Sequence, residues 1–468
     1  MSINDPTAGE MAPADAQGLV PEGPARTQDE PVETPAAWYA VFIFSLSLMM
    51  NFIDRGVINL LIQPIKEDLQ VTDTEISLLV GFAFVLFQIF VGLPLARLVD
   101  TKSRRIILGL STLAWSGMTS VAGLCQTYAQ LFVARIGAGV GESANGPATY
   151  SMISDLFPKH RLPRAISFMQ LGYASGQGLS LLLGGLAFAW LSGFAPFNAG
   201  FFGELKAWQM TFIIIGLPGV ILAILIMTTL REPRRHGQIK PANQAQAALP
   251  VKEVAKFIHS NGKTYYPLFF GMGLKTVLSF GYITWIPAFY IRTFGWTPRD
   301  VGLVQGGIML VVVPIALFLG SFLAEYWARK GRDDANMRVV LFATVAAIPF
   351  SILYPLMPND WSAAIMVGFF YLFAMMVPGP QNAAMQVVSP NQVRGQVMAL
   401  YLFVFNIVGF GMGPTIVALF TDYIFGDPAD LKYAMALAAA IIGPLAALIF
   451  WYGLKHYARS VAKARAWS

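Results

Sequence analysis

The sequence predicts an all-α polytopic membrane protein with twelve transmembrane helices arranged as two six-helix halves. Three observations carry that prediction. Hydrophobic residues fill 56% of the 468 positions and charged residues only 12%, about half the charged share of an ordinary soluble domain. The apolar runs are continuous and about 20 residues or longer, enough to cross a bilayer, whereas helices of soluble proteins alternate apolar and polar faces. The second half of the chain also repeats the pattern of the first.

Residues 1–35 are rich in Pro, Ala, Glu and Asp and carry no basic segment followed by an apolar core, so they read as a disordered cytoplasmic tail and not as a signal peptide. An N-terminal half over 36–230 then offers apolar spans at 38–65, 76–98, 105–124, 128–157, 163–191 and 208–230. Charges, Gln, Pro and Ala break the pattern over 231–264, a cytoplasmic linker in which 251–259 has the character of a short amphipathic helix lying at the interface. A C-terminal half over 265–457 supplies spans at 265–291, 301–327, 339–356, 362–388, 396–421 and 431–457, and 458–468 reads as a cytoplasmic tail. Sliding the chain by 225 positions sets Thr72 on Thr297, Gly81 on Gly306, Asp100 on Glu325 and Arg104–Arg105 on Arg329–Lys330. A shift of 233 sets Gly146–Pro147 on Gly379–Pro380 and Arg161 on Arg394. Parallel repeats of this kind place a substrate cavity between the halves near the bilayer midplane.

Lys and Arg accumulate in alternate loops, leaving Lys66, Lys206, Arg292, Arg299 and Lys432 as the basic residues of the opposite side. Cytoplasmic loops carry the excess, so both termini are expected inside, in a bacterial inner membrane. The same bias explains the net charge of +6 as topology, and no nucleic-acid partner is expected. Cys125 has no second cysteine to pair with, and His160, His236, His259 and His456 fall in charged segments and not in a ligand cluster. No metal or organic cofactor is expected, and the chain reads as a monomer whose partners are the bilayer and its substrate.

Within the first span, Asn51, Asp54, Arg55 and Asn59 share one polar stripe at helical spacing. Ionisable groups there cost at least about 2.5 kcal/mol each, so the stripe faces the bundle interior and is a functional candidate. A static ion pair that fixes helix packing is the competing reading. In the fourth span Arg135 and Glu142 lie seven residues, or about 10 Å, apart on one face. They cannot pair with each other, so each needs a partner from another helix, and glycines 137, 139 and 141 allow one to approach closely. In the seventh span Lys275 either meets an anionic headgroup or Glu142, or snorkels to the interface. Tyr282 and Trp285 of that span, with Phe280 and Phe289, are candidate cavity aromatics or plain packing.

The stretch from Ala96 through Asp100 to Arg104 and Arg105 resembles the loop motif of the major facilitator superfamily, with Ala96, Thr101 and Ser103 where the usual pattern has glycine, a basic residue and glycine. That resemblance implies that the loop closes the cytoplasmic side, Asp100 sitting at the start of the eleventh helix, where a carboxylate suits the positive end of the dipole. Asn51-Phe52-Ile53-Asp54-Arg55, Arg135 with Val140-Gly141-Glu142-Ser143-Ala144, and Asp155-Leu156-Phe157-Pro158 with Arg161 are together similar to the spinster family of that superfamily. The resemblance implies a transporter of sphingolipid- or lysolipid-like amphiphiles, with Asp54 and Glu142 as protonation sites and Arg135 coupling protonation to the cavity; Arg55 is a further candidate for that coupling, and Asn51, Asn59, Lys275, Tyr282 and Trp285 are the candidate cavity residues. The coupling ion is then H+, and no other cofactor is implied. A facilitator for a small organic anion or a drug is the alternative, and a non-transporting membrane sensor is the alternative from another class. An enzyme is not expected, because no nucleophile, base or metal cluster stands in or beside the spans.

Overall fold

The computed structural model describes residues 33–158, 160–200, 203–235 and 251–464. The expected tail of residues 1–35, except for its last three positions, lies outside them, as do 236–250 of the linker and 465–468. The first half comprises α1 (Pro35–Leu69), α2 (Asp73–Ser77), α3 (Ala83–Thr101), α4 (Arg104–Ala122), α5 (Tyr128–Glu142), α6 (Asn145–Leu156), α7 (Leu162–Ser192) and α8 (Ala207–Thr229). Helix α9 (Val251–Ser260) follows as the amphipathic segment. The second half comprises α10 (Gly262–Phe294), α11 (Pro298–Arg329), α12 (Ala335–Leu353), α13 (Asp360–Met375), α14 (Pro378–Val387), α15 (Asn391–Val404), α16 (Met412–Leu419) and α17 (Leu431–Ala464). Joining α2 to α3, α5 to α6, α13 to α14 and α15 to α16 gives twelve rods besides α9 among the described residues. Helix α17 continues through Ala464, so most of the stretch read as a C-terminal tail is helical.

Ten of these rods are long and apolar enough to cross a membrane. The other two, α4 and the α5–α6 pair, are enriched in Ser, Thr and Gly or interrupted, as interior helices can be, because neighbouring helices satisfy their polar groups. A two-stranded antiparallel ribbon, Phe197–Asn198 against Glu204–Leu205, joins α7 to α8 and is the one departure from an all-helical fold among the described residues.

The internal repeat is expressed residue by residue. Thr72 caps α2 and Thr297 caps α11, each with a reciprocal bond to the acid three positions on, Glu75 or Asp300. Gly81 and Gly306 both sit at crossings between the halves: a Cβ added at Gly81 would lie 2.8 Å from the Gly411 carbonyl oxygen, and one at Gly306 2.9 Å from that of Gly178. The continuous spans expected over 128–157 and 362–388 are broken in the structure after Glu142 and after Met375, at equivalent places in the two halves. The reason is local: each second segment carries a proline in its first turns, Pro147 or Pro378 with Pro380, and proline lacks the amide that would continue the preceding helix.

The bundle is closed at one end. Side-chain bonds between the halves gather where α1 and α10 end and α2 begins, and include Arg292 with Gln63 and Asp73, Thr74 with Asp422, and Ser77 with Thr415 of α16. Below them α7 crosses α11 along Gly178, Gly185, Gly302 and Gly306, small residues that let two backbones touch. At the opposite end α6 packs mainly on α1, α3, α4 and α7, and α15 mainly on α9 and α10, so each half packs on itself.

This seam yields a test. A Cβ at Gly302 would meet the Leu181 carbonyl oxygen at 2.5 Å, whereas one at Gly307 meets open space. Gly302→Val should destabilise the closed end by about 1–3 kcal/mol, the usual cost of overpacking. Spin labels on the last turn of α7 and the first turn of α11 should then move apart and the thermal midpoint should fall, while Gly307→Val changes neither.

Candidate functional site

The charged stripe of α1 is divided between two neighbours. Asp54 is 3% exposed and accepts a hydrogen bond from the Thr119 hydroxyl of α4 at 3.3 Å. One residue on, Arg55 turns toward α5 and pairs with Glu142, its Nε donating to Oε2 at 2.6 Å. The helical rotation of about 100° between successive residues sends the two charges to different partners. Glu142 thus finds its counter-ion on another helix, as the seven-residue separation from Arg135 requires.

Arg135 is 2% exposed, and its Nε has no hydrogen-bond partner. Its guanidinium lies 4.9 Å from the centroid of Phe84, whose ring also receives Arg55 at 4.6 Å. Two cations therefore rest on one aromatic ring, and a single carboxylate holds one of them directly. Asp54 and Glu142 both act electrostatically on Arg135. Arg135 thus keeps one buried guanidinium donor, its Nε, available to a new partner. Removing a buried counter-ion is strongly disfavoured unless the stranded charge finds another.

This cluster borders the space between the halves. A cavity of about 30 Å³ is lined by Arg55, Asn59, Arg135 and Gln177 from the first half and by Phe280, Ile283 and Phe410 from the second. That is room for little more than a water. The first half mixes these polar and cationic groups with Phe52, Val80, Phe84 and Val85, whereas the second half contributes apolar side chains only. Asn59 contributes a buried Oδ1 with no partner, and Asn51 is buried two turns away on the same helix.

Three expected cavity residues are corrected. Lys275 neither meets Glu142 nor snorkels: it is 8% exposed, and its ammonium donates to the Ala374 carbonyl at 2.8 Å, where α13 breaks off. The equivalent carbonyl of the first half, Gly141 at the end of α5, accepts from the Ser111 hydroxyl. Both donors satisfy carbonyls freed by the helix breaks, and a cation suits the negative end of a helix dipole. Tyr282 packs inside the second half against Tyr354 and Phe370 and donates to the Met435 carbonyl. Trp285 donates to the Pro414 carbonyl at 2.9 Å, and its ring lies beneath Arg292, with 5.6 Å from the guanidinium to its centroid. Both have a polar atom that must be satisfied once buried, and the satisfying carbonyls lie within their own half.

The expected gate is arranged differently from its motif. The Arg104 guanidinium bonds Asp155 and, at 2.9 Å each, Glu232 and the Pro233 carbonyl. Glu232, and not Asp100, is the carboxylate at a helix N-terminus: it accepts from the Arg104 and Arg105 amides at the start of α4 and from the Ser103 hydroxyl. Partial burial would raise its pKa, but the Arg105 amide, the Arg104 guanidinium, the Ser103 hydroxyl and the Arg104 amide together hold it below the usual glutamate range. Asp100 is exposed, and its carbonyl, with those of Val99 and Lys102, accepts from Arg235. Helix α3 meets the second half through residues 405–411, in the middle of that rod, and packs only weakly or not at all on its first segment, α15.

Sequence reasoning missed the lock at the closed end. Asp73 is fully buried and is held by Lys66 at 2.6 Å and by both terminal nitrogens of Arg292 at 2.6 and 2.8 Å. Lys66 and Arg292 had been assigned to loop topology alone. An acid beside a capping threonine is ordinary helix-start chemistry, and nothing in the local pattern marked Asp73 as the member that crosses between the halves.

The Major Facilitator Superfamily description matches residues 44–414. An MFS-type efflux pump of Mycolicibacterium smegmatis is 26% identical over 91% of this chain and 94% of its own. A probable L-galactonate transporter of Escherichia coli is 22% identical over 94% of this chain and 91% of its own. A solved structure of a bacterial homologue of the human lysosomal transporter Spinster, inward-facing and unoccupied, superposes with a TM-score of 0.76 at 22% identity, over 92% of this chain and 99% of that one. The twelve rods, the inter-half repeat and the matched family span converge on one conclusion: the chain is a multi-pass membrane transporter that belongs to the Major Facilitator Superfamily.

Proposed function

We propose that this transporter is a proton-coupled secondary carrier of an amphiphilic, lipid-like substrate, working by alternating access. The observation that carries the reading is the cluster of two buried acids, Glu142 ion-paired to Arg55 and Asp54 bonded to Thr119, with two arginines that share the Phe84 face at the border of the inter-half cavity. Protonation of Glu142 removes the charge that holds Arg55, and protonation of Asp54 removes one that attracts Arg135. Either event changes which partners the guanidiniums seek, and therefore which packing of the halves is lower in free energy. The closed end is then the outer face and the open end the cytoplasmic face, with both termini inside a bacterial inner membrane, as the loop charges suggest. The protein works as a monomer, each copy holding a complete cavity.

The asymmetric walls support an amphiphile: Arg55, Arg135, Asn59 and Gln177 offer donors to a polar head, while Phe280, Ile283 and Phe410 offer an apolar surface to a chain. The two cavity arginines also favour a second reading, a small organic anion, in keeping with the relative described as a probable L-galactonate transporter. Uptake by proteoliposomes of lysolipids, sphingoid bases and sugar acids under an imposed pH gradient separates the two.

Glu142→Gln and Asp54→Asn mimic the protonated forms. Each should lower gradient-driven uptake at least about tenfold, equivalent to about 1.4 kcal/mol in the limiting barrier, in protein that still folds. Wild-type pH dependence in both variants would exclude coupling through these acids.

Lys66→Gln/Arg292→Gln removes both cations that hold Asp73 and strands it at the closed end. Breaking a buried pair costs about 3–5 kcal/mol, enough to move a two-state population by two orders of magnitude or more. Distances between labels on the outer ends of α1 and α10 should lengthen in lipid, and unchanged distances would show that the glycine seam alone keeps the end shut.

A further inference from the structure

Away from the central cavity, α9, α10 and α17 enclose a groove of about 840 Å³ that the transport cycle does not use. Its rim is cationic through Lys263 in the first turn of α10 and Arg459 and Lys463 on α17, with His259 in the last turn of α9 and His456 of α17 beside them. Among the described residues no carboxylate lines it, and Asp334, which caps α12 and faces the neighbouring side of α17, is held by Arg338 at 2.5 Å. The Thr264 and Ser460 hydroxyls bond each other across the groove at 2.8 Å, tying α10 to α17 at its mouth.

The wall changes character along the helix axes. On α17, Ile449, Tyr452, His456, Arg459 and Lys463 recur at three- and four-residue spacing and form one stripe, apolar toward the middle of the helix and basic toward its end. Helix α10 mirrors it, with Lys263 at its start and Phe270 two turns deeper. Phe270 and Tyr452 are 53% and 56% exposed, large aromatic surfaces that single-chain packing leaves open. Cations at the level of the helix ends above an apolar trough form the complement of one anionic headgroup and its acyl chain.

From this charge and shape complementarity we infer that the groove between α9, α10 and α17 is a binding site for an anionic glycerophospholipid of the surrounding leaflet. The phosphate sits among Lys263, Arg459 and Lys463, and an acyl chain lies along Phe270, Ile449 and Tyr452. A bound lipid bridges the linker helix to the first and last helices of the second half, and so stiffens that half as it moves.

The full-length protein in mild detergent, offered phosphatidylglycerol and phosphatidylcholine of the same acyl chains, tests this by native mass spectrometry. Wild type should retain phosphatidylglycerol preferentially. Lys263→Gln/Arg459→Gln/Lys463→Gln should lower that retention at least about tenfold, given the attraction of each basic residue for anionic lipid. A matched control, Arg329→Gln/Lys330→Gln/Arg332→Gln, removes three charges from the turn between α11 and α12 and should retain it. Lys463→Glu alone, at an exposed position, serves if the triple variant does not fold. Equal retention of the two lipids by wild type, or equal loss in groove and control variants, overturns the site. Displacement by millimolar inorganic phosphate alone overturns the lipid assignment in favour of a free anion.

Discussion

A carboxylate surrounded by hydrocarbon is tolerable only with a counter-ion and donors in place, and the Arg55–Glu142 pair is where that constraint is met in the first half. Its consequences spread outward. Helix α1 must turn its polar stripe inward, which presents Asp54 to α4 and Arg55 to α5. Glu142 stands at the end of α5, where that helix breaks, and Ser111 reaches across from α4 to satisfy the carbonyl the break exposes. With Arg55 drawn to Glu142, Arg135 is left on the face of Phe84 with an unsatisfied Nε. Charge, helix break and cavity border are therefore parts of one arrangement.

The two halves use the same backbone plan for different ends. Both carry a broken rod, a capping box and a glycine crossing at equivalent positions, yet the exposed carbonyls are met by Ser111 in one half and Lys275 in the other. The first half keeps ionisable groups beside the cavity, while the second faces it with Phe280, Ile283 and Phe410. A half that faces the cavity with apolar side chains alone thus opposes one that sets charged and polar groups among apolar ones.

Closure rests on a different balance. The closed end combines close backbone contact along the α7–α11 glycines with the Asp73 lock, and the lock is stacked on Trp285 through Arg292. Small residues give contact without directionality, whereas the buried ion pair has a defined geometry and releases as a unit. Packed interfaces of this kind switch between discrete arrangements more readily than they deform continuously.

Much of this was determined by sequence alone, because it depends on short-range physics. Continuous apolar length marked the spans, Thr72 and Thr297 marked helix starts, and the cost of charge in hydrocarbon sent Asp54, Arg55, Arg135 and Glu142 to the interior. The seven-residue separation even required that Glu142 find its cation on another helix. Which cation that is could not be read, since Arg55 lies 87 positions away. The same holds for Asp73 and Arg292, separated by 219 positions, and for Lys275 and Ala374, separated by 99. Tyr282 and Trp285 looked like cavity aromatics because helical spacing defines a face but not what lies opposite it. Tertiary structure alone decided these matters: a partner in space is set by how helices cross, and crossings are fixed by packing summed over the whole bundle, which no local pattern encodes.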